Sequence, residues 1–415
     1  MLESYFERDH VLRRLRAEPM GRYMDDFAKT LHAKGYGLWA GQAYLRAAAH
    51  LGIWMKRKGF SVSKLDEQVI GEFARHLPSC RCLGKNRGIY DDAVIGAHHF
   101  LDHLRDTGVA PAGAPLQKPT LPAIIDGFER WMRQHRGAAE STLKLYRLIL
   151  TKLLGAVGET PGNYKAHVLR RGVEMQTSHC ARSWAKLVIT TVRMFLRYLV
   201  VYNLCDATLV DALPTIAHWK RASCPDYRSE EEVEKLVAAC NPVTAEGARD
   251  RAVLLLLVRL GLRAGDIVHL RHADIDWENG TLQLTGKGRR QSALPLPQDV
   301  GDALLNYVEH WRPNVRDEHV FLRVNAPFVP LAGSSAVSSL VNRAARRARL
   351  SATRIGAHIL RHTAASLMLR KGASLQTISN LLRHQSLDTT TLYAKVDVEM
   401  LSEIAQPWPE EVLPC

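Results

Sequence analysis

The stretch "ADIDWENGTLQLTGKGRRQSALPLP", Ala273 to Pro297, decides the fold class. Short runs of alternating apolar and polar residues are broken at Asn279-Gly280 and again at Gly286-Lys287-Gly288. Asn-Gly accepts the positive φ that a tight hairpin demands, so the segment reads as short antiparallel strands joined by tight turns. On both sides the pattern changes to that of helices. Upstream, "RAVLLLLVRL" is a buried helix, its apolar run from Ala252 to Val258 falling far short of the roughly 20 residues that span a bilayer. Downstream, "HILRHTAASLMLRKG" and "SLQTISNLLRH" carry apolar residues on helical spacing. From Arg228 onward the chain is therefore α+β, with one small antiparallel sheet.

The remainder is helical. "GVAPAGAPLQKPTLP", Gly108 to Pro122, is a linker, because its prolines lack the N–H that helices and ladders need. It separates two halves of similar pattern. "GYGLWAGQAYLRAAAHLGIWMKRKG" followed by "VIGAHHFLDHLRDTG" matches "GAAESTLKLYRLILTKLLGAVGE" followed by "VITTVRMFLRYLVVYN", with Tyr44 and Tyr146, and Phe100 and Phe195, in equivalent places. The pattern is that of a duplicated all-helical module of about 100 residues, and two unrelated amphipathic bundles would look alike at this level. A second connector, "LPTIAHWKRASCPDYRSEEEVEKLV", carries Lys220, Arg221 and Arg228 before a helix opened by a Ser229/Glu232 capping box. The expected division is a helical module at 1–110, a linker at 111–122, a second helical module at 123–212, a basic linker at 213–227 and an α+β domain at 228–415.

The 415 residues hold 56 Lys and Arg against 42 Asp and Glu, a formal charge of +14 that points to a polyanionic partner, nucleic acid first. Seven cysteines form no even framework, and "MLESYFERDH" is charged throughout rather than an apolar signal segment. Reduced thiols, a cytoplasmic location and no membrane association are the expectation.

Several residues can carry chemistry. In "VRLGLRAGDIVHL" a helix ends at Gly261, leaving Arg263 just beyond it and Asp266 at the start of the next helix; a surface arginine with a capping aspartate would look the same. His358 and Arg361 share one helix face, where both can donate to a single phosphate. Ser374 caps the following helix, which buries Ile378, Leu381 and Leu382, delivers His384 at its end, and is stopped from merging with the previous one at Gly372. Asp388 caps a last short helix bearing Tyr393, in a segment, "SLDTTTLY", too polar to be an obvious core. Lys287, between two glycines, can swing toward a phosphate as an acid, or simply solubilise a turn. In "HLPSCRCLG", Cys80 and Cys82 with His76 and either His98 or His99 have zinc-ligand chemistry. A CxC without a second cysteine pair is a weak metal signal, and buried thiols are the favoured reading.

Taken in order, Arg263, Lys287, His358 with Arg361, His384 and Tyr393 resemble the tyrosine recombinase family, the phage-integrase and Xer-like strand-exchange enzymes. "LGLRAGDI", "HILRHT" and "TTTLYAKV" look like that family's boxes. The family commonly has Gly where this chain has Arg383. The resemblance implies a SAM-like helical core-binding module before the catalytic domain, the first module being a further copy. It implies a site-specific recombinase that cuts and rejoins DNA through a 3′-phosphotyrosine link, with no cofactor, metal or ATP. Arg263 and Arg361 would clamp the phosphate, His384 would donate to it, His358 would donate or accept a proton, and Lys287 would protonate the leaving oxygen. Asp266 would orient Arg263 rather than bind magnesium.

Double-stranded recombination sites would be the partner, with Lys220, Arg221, Arg343 and Arg347 as phosphate contacts; the arginines of "NRAARRARL" fit a solvated face equally well. The tail "VDVEMLSEIAQPW" would dock Val398, Leu401 and Ile404 into a neighbouring protomer, giving a tetramer on two sites, with or without other recombinases. Integration, excision, transposition and resolution all fit. The rivals are a type IB topoisomerase, against which the Xer-like boxes and tail helix count, and a non-catalytic accessory protein, which would lack one of the six residues.

Overall fold

A computed structural model describes residues 1–80, 90–112, 122–216, 226–285, 291–350, 355–384 and 390–394. Lys220, Arg221, Lys287, Asp388, Cys82 and the expected tail helix lie outside them. The chain forms two compact units, Met1–Gly113 with Ser223–Cys415, and Ala114–Ala222.

The smaller unit is built from α6 to α9, and the first part of the larger from α1 to α5. In chain order, α1 is Asp9–Leu15, α2 Gly21–Ala33, α3 Leu38–Lys58, α4 Glu67–His76 and α5 Tyr90–Asp106. Next come α6 Ala123–Arg136, α7 Glu140–Val157, α8 Ala166–Thr177 and α9 Arg182–Val201. The same aromatic pair recurs in both sets. Phe27 on α2 meets Phe100 on α5 edge-on with ring centroids 5.1 Å apart, and Phe128 on α6 meets Phe195 on α9 edge-on at 5.5 Å. All four rings are fully buried. Edge-on contact joins the positive rim of one ring to the negative face of the other, which fixes how α2 packs on α5 and α6 on α9.

The second part of the larger unit holds α10 Glu230–Ala238, α11 Ala245–Arg259, α12 Ala264–His269, β1 Ile275–Asp276, β2 Thr281–Thr285 and β3 Gln291–Pro295. Then follow α13 Gln298–Asn306, α14 Ser334–Arg347, α15 Ala357–Arg370, α16 Leu375–Leu382 and α17 Thr391–Ala394. The Ser229/Glu232 capping box is formed, Ser229 Oγ accepting from the Glu232 N–H at 3.2 Å and Glu232 Oε2 from the Ser229 N–H at 3.0 Å. The sheet runs β1-β2-β3, antiparallel throughout, with Ile275 opposite Leu282 and Leu282 opposite Leu294. Its hairpin turns at Gly280, φ +59°, with the Asn279 N–H held by Asp276 Oδ1 at 2.9 Å. Leu282, Leu284 and Leu294 enter the core that α11 dominates, where Leu254 to Leu257 are all buried. Among the described residues no helix is long and apolar enough to cross a membrane.

Candidate active site

The site is built where α11 and α16 end against the N-terminal half of α15. Leaving α11, the chain turns at Gly261 with φ +58°, and a Cβ there would sit 2.4 Å from Leu382 Cδ2. Only glycine satisfies both the left-handed backbone and the close approach of α16. Two residues on, Arg263 caps α12, its N–H bound by Asp266 Oδ2 at 3.0 Å. Its guanidinium Nη2 donates to the Arg383 carbonyl at 3.0 Å. Arg361 rises from the interior of α15 and is buried; Nη1 donates to the Gly261 carbonyl and Nη2 to the Leu382 carbonyl. Cations beside the C-terminal carbonyls of two helices meet their partial negative charge. Burial, and then the neighbouring Arg263, bring the Arg361 pKa down to about 10, which still leaves it charged at neutral pH.

The phenol lies beside this pair. Tyr393 is buried, its ring packed with Ala365, Leu369, Ile378 and Leu382, although its own segment is too polar to be an obvious core. Its hydroxyl pairs with His362 Nδ1 at 2.9 Å, and His362 Nε2 pairs with His358 Nε2 at 3.0 Å. Burial, followed by His358 and Arg361, holds the His362 pKa down at about 4, so the ring is neutral and keeps one nitrogen as an acceptor. For Tyr393 itself burial raises the pKa, and the Arg361 charge pulls it partly back. His384 lies parallel to the Tyr393 ring, centroids 6.3 Å apart, with Nδ1 2.8 Å from the Thr390 hydroxyl. Its pKa also falls to about 4, through burial and then Arg361 and Arg263.

Arg263, His358, Arg361, His384 and Tyr393 are thus one cluster, with Asp266 beneath it; Lys287 lies outside the described residues. Sequence reading passed over His362, although its place four residues after His358 on the same helix could have signalled it. Arg383 keeps the left-handed conformation, φ +53°, that glycine would take, and its guanidinium pairs with Asp266. The aspartate therefore ties the Arg263 backbone to Arg383 rather than gripping the Arg263 side chain. Arg343 and Arg347 are engaged within the fold. Arg343 Nε reaches Glu246 at 3.2 Å, and Arg347 Nη2 reaches the buried Asp250 at 3.0 Å. Around Cys80 the expected companion His99 is elsewhere, bonded to the Tyr36 hydroxyl at 3.2 Å, whereas His50, which the sequence gave no reason to choose, lies 3.2 Å from Cys80 Sγ.

An α+β domain thus gathers two arginines, three histidines and a tyrosine at one place. The phage integrase family matches residues 227–400. The Sinorhizobium fredii protein y4rA, which carries the name integrase/recombinase, is 32% identical over 416 residues, covering 99% of this chain and all of its own length. Tyrosine recombinase XerC of Staphylococcus aureus is 27% identical over 286 residues, 68% of this chain and 94% of XerC. The crystal structure of XerH on a palindromic difH substrate shares the fold, with a TM-score of 0.54 at 20% identity over 82% of this chain and 95% of XerH. A lambda integrase dimer on a core site has a TM-score of 0.52 at 18% identity, covering 70% of this chain and 99% of that fragment. The chain belongs to the tyrosine recombinase, or phage integrase, family, whose class of activity is site-specific DNA recombination.

Proposed function

We propose that the protein cuts and rejoins DNA strands by attack of the Tyr393 hydroxyl oxygen on a phosphodiester, forming a 3′-phosphotyrosine and a free 5′-hydroxyl. The P–O5′ bond breaks as the P–O bond to tyrosine forms. Its phenolic proton passes to His362 Nδ1, and the departing 5′-oxygen takes a proton from Lys287. Charge building on the nonbridging oxygens is met by Arg263, Arg361 and His384, donors held in place before the reaction begins. Since the covalent link conserves the bond energy, a 5′-hydroxyl from another duplex reverses the step without ATP or metal. The observation that carries this reading is the hydrogen-bonded file from Tyr393 through His362 to His358, beside a buried arginine that favours the phenolate. A phenol of pKa near 10 or above needs such an acceptor.

Recombination sites in duplex DNA are the substrate. Lys220 and Arg221 are assigned phosphate contacts. Arg343 can exchange the exposed Glu246 for phosphate, while Arg347 is committed to Asp250. Four protomers acting on two sites, as in the lambda integrase tetramer bound to a Holliday junction, is the assembly that exchange of strands requires. A suicide substrate nicked beside the cleavage point tests the nucleophile: wild-type protein is trapped covalently and Tyr393→Phe is not. Trapping of both would overturn the assignment.

A further inference from the structure

The helical module at the start of the chain holds a cluster that recombination chemistry does not use. His50 from the middle of α3, His76 from the last residue of α4, and Cys80 from the end of the turn that follows converge, one ligand atom of each lying within 4.8 Å of the others. His50 and Cys80 are 8% and 5% exposed. An imidazole buried against the Phe73 ring is costly unless its nitrogens are engaged. A thiol–imidazole contact engages one nitrogen of His50, and His76 brings a third ligand atom to the same point.

The spacing has a simpler cause in a shared cation. Zinc binds histidine nitrogen at about 2.0 Å and cysteine sulfur at about 2.3 Å, so two such ligands at the tetrahedral angle stand about 3.5 Å apart. His50 Nε2 and Cys80 Sγ are 3.2 Å apart. The rings are also braced: Phe73 meets His50 edge-on at 5.1 Å, and Trp54 stacks on His76 at 6.1 Å. Packing of this kind holds ligands in place before the ion arrives, which lowers the ordering entropy of binding.

We propose that His50, His76 and Cys80 hold a structural zinc ion. Zn²⁺ binds through His50 Nε2, an imidazole nitrogen of His76 and the Cys80 thiolate, and the thiol proton is released to solvent. Water or a further thiol completes the tetrahedron. The ion cross-links α3 to the α4 end and the turn beyond it. It stands apart from the phosphodiester chemistry, which needs no metal.

The test uses the full-length protein purified without chelator. Elemental analysis is expected to find zinc at close to one ion per chain. After exchange to Co²⁺, a thiolate-to-cobalt charge-transfer band and the strong visible bands of tetrahedral cobalt are expected. His50→Ala and Cys80→Ser should each weaken metal affinity by more than the roughly 100-fold seen for lost supporting residues, while His99→Ala retains it. If those variants fail to fold, the cobalt spectrum of the wild-type chain decides alone. Absence of bound metal after reconstitution with zinc, a cobalt complex without the charge-transfer band, or undiminished metal in folded Cys80→Ser would each overturn the proposal.

Discussion

His362 takes its place from helical periodicity alone. Residues 358 and 362 are one turn apart on α15, so their rings meet, centroids 4.2 Å apart, and the second ring reaches Tyr393. Tautomers follow from the distances. If the phenol donates to His362 Nδ1, the His362 Nε2–H donates to His358 Nε2, and His358 carries its own proton on Nδ1. A proton can then leave the buried phenol toward the exposed edge of α15. General-base assistance of this kind is worth roughly 10²–10⁴-fold. We therefore expect His362→Ala to slow covalent trapping by about 10²-fold in single-turnover assays, His358→Ala to do the same, and the double variant to be little slower than either, because members of one relay are not additive. Multiplied effects would show the two histidines acting separately. Arg383 illustrates the opposite case, a residue that breaks a local rule: its left-handed backbone costs about 1 kcal/mol or more, offset by the pairing of its guanidinium with Asp266.

At the level of elements, α11 is the axis on which the catalytic domain is hung, and its first turns conceal charge. Asp250 is wholly buried and accepts from Arg249 Nη2 at 2.7 Å and from Arg347 Nη2, on α14, at 3.0 Å. Removing one partner of a buried pair strands the other, at a cost of about 3–5 kcal/mol. Asp250→Ala should lower the stability of the catalytic domain by that much in urea unfolding, and Arg347→Ala by clearly less, since Arg249 remains paired. Equal losses would mean that α14 docking, not charge burial, dominates. The sequence made much of this legible and hid the rest for one reason. Gly261, Ser229 with Glu232, Ser374, Asn279-Gly280 and the buried run of α11 act through neighbours in sequence, so their spacing discloses them. Tyr393 sits in a polar octapeptide yet is buried, because its walls come from α15 and α16. Arg347 reads as a phosphate contact or as one of a solvated row, yet its partner lies 97 residues away.

Across the larger unit, the linker composition announces a boundary at residues 111–122 but not what the first module touches. The structure packs Ala326 against the core of that module and sets the edge of the Phe328 ring on Gly35, where an added Cβ would lie 2.2 Å from Phe328 Cε2. Arg323 is near enough for its charge to act on Tyr36 and Tyr44. This loop of the catalytic region is thus a clasp on the turn between α2 and α3, formed by one half-buried aromatic ring and a residue without a side chain. Interfaces between domains of one chain commonly permit relative motion. Phe328→Ala should remove about 1–2 kcal/mol of apolar burial, a factor of roughly 5–30 in an opening equilibrium. Hydrogen exchange is the measurement: the amides of Gly35 and Tyr36 should exchange faster by about that factor, while those of Leu254 to Leu257 in α11 stay as protected as before. Unchanged exchange at Gly35 and Tyr36 would mean that the first module is held by something other than this ring. Equally faster exchange in α11 would mean that the substitution had unsettled the catalytic core rather than opened the clasp.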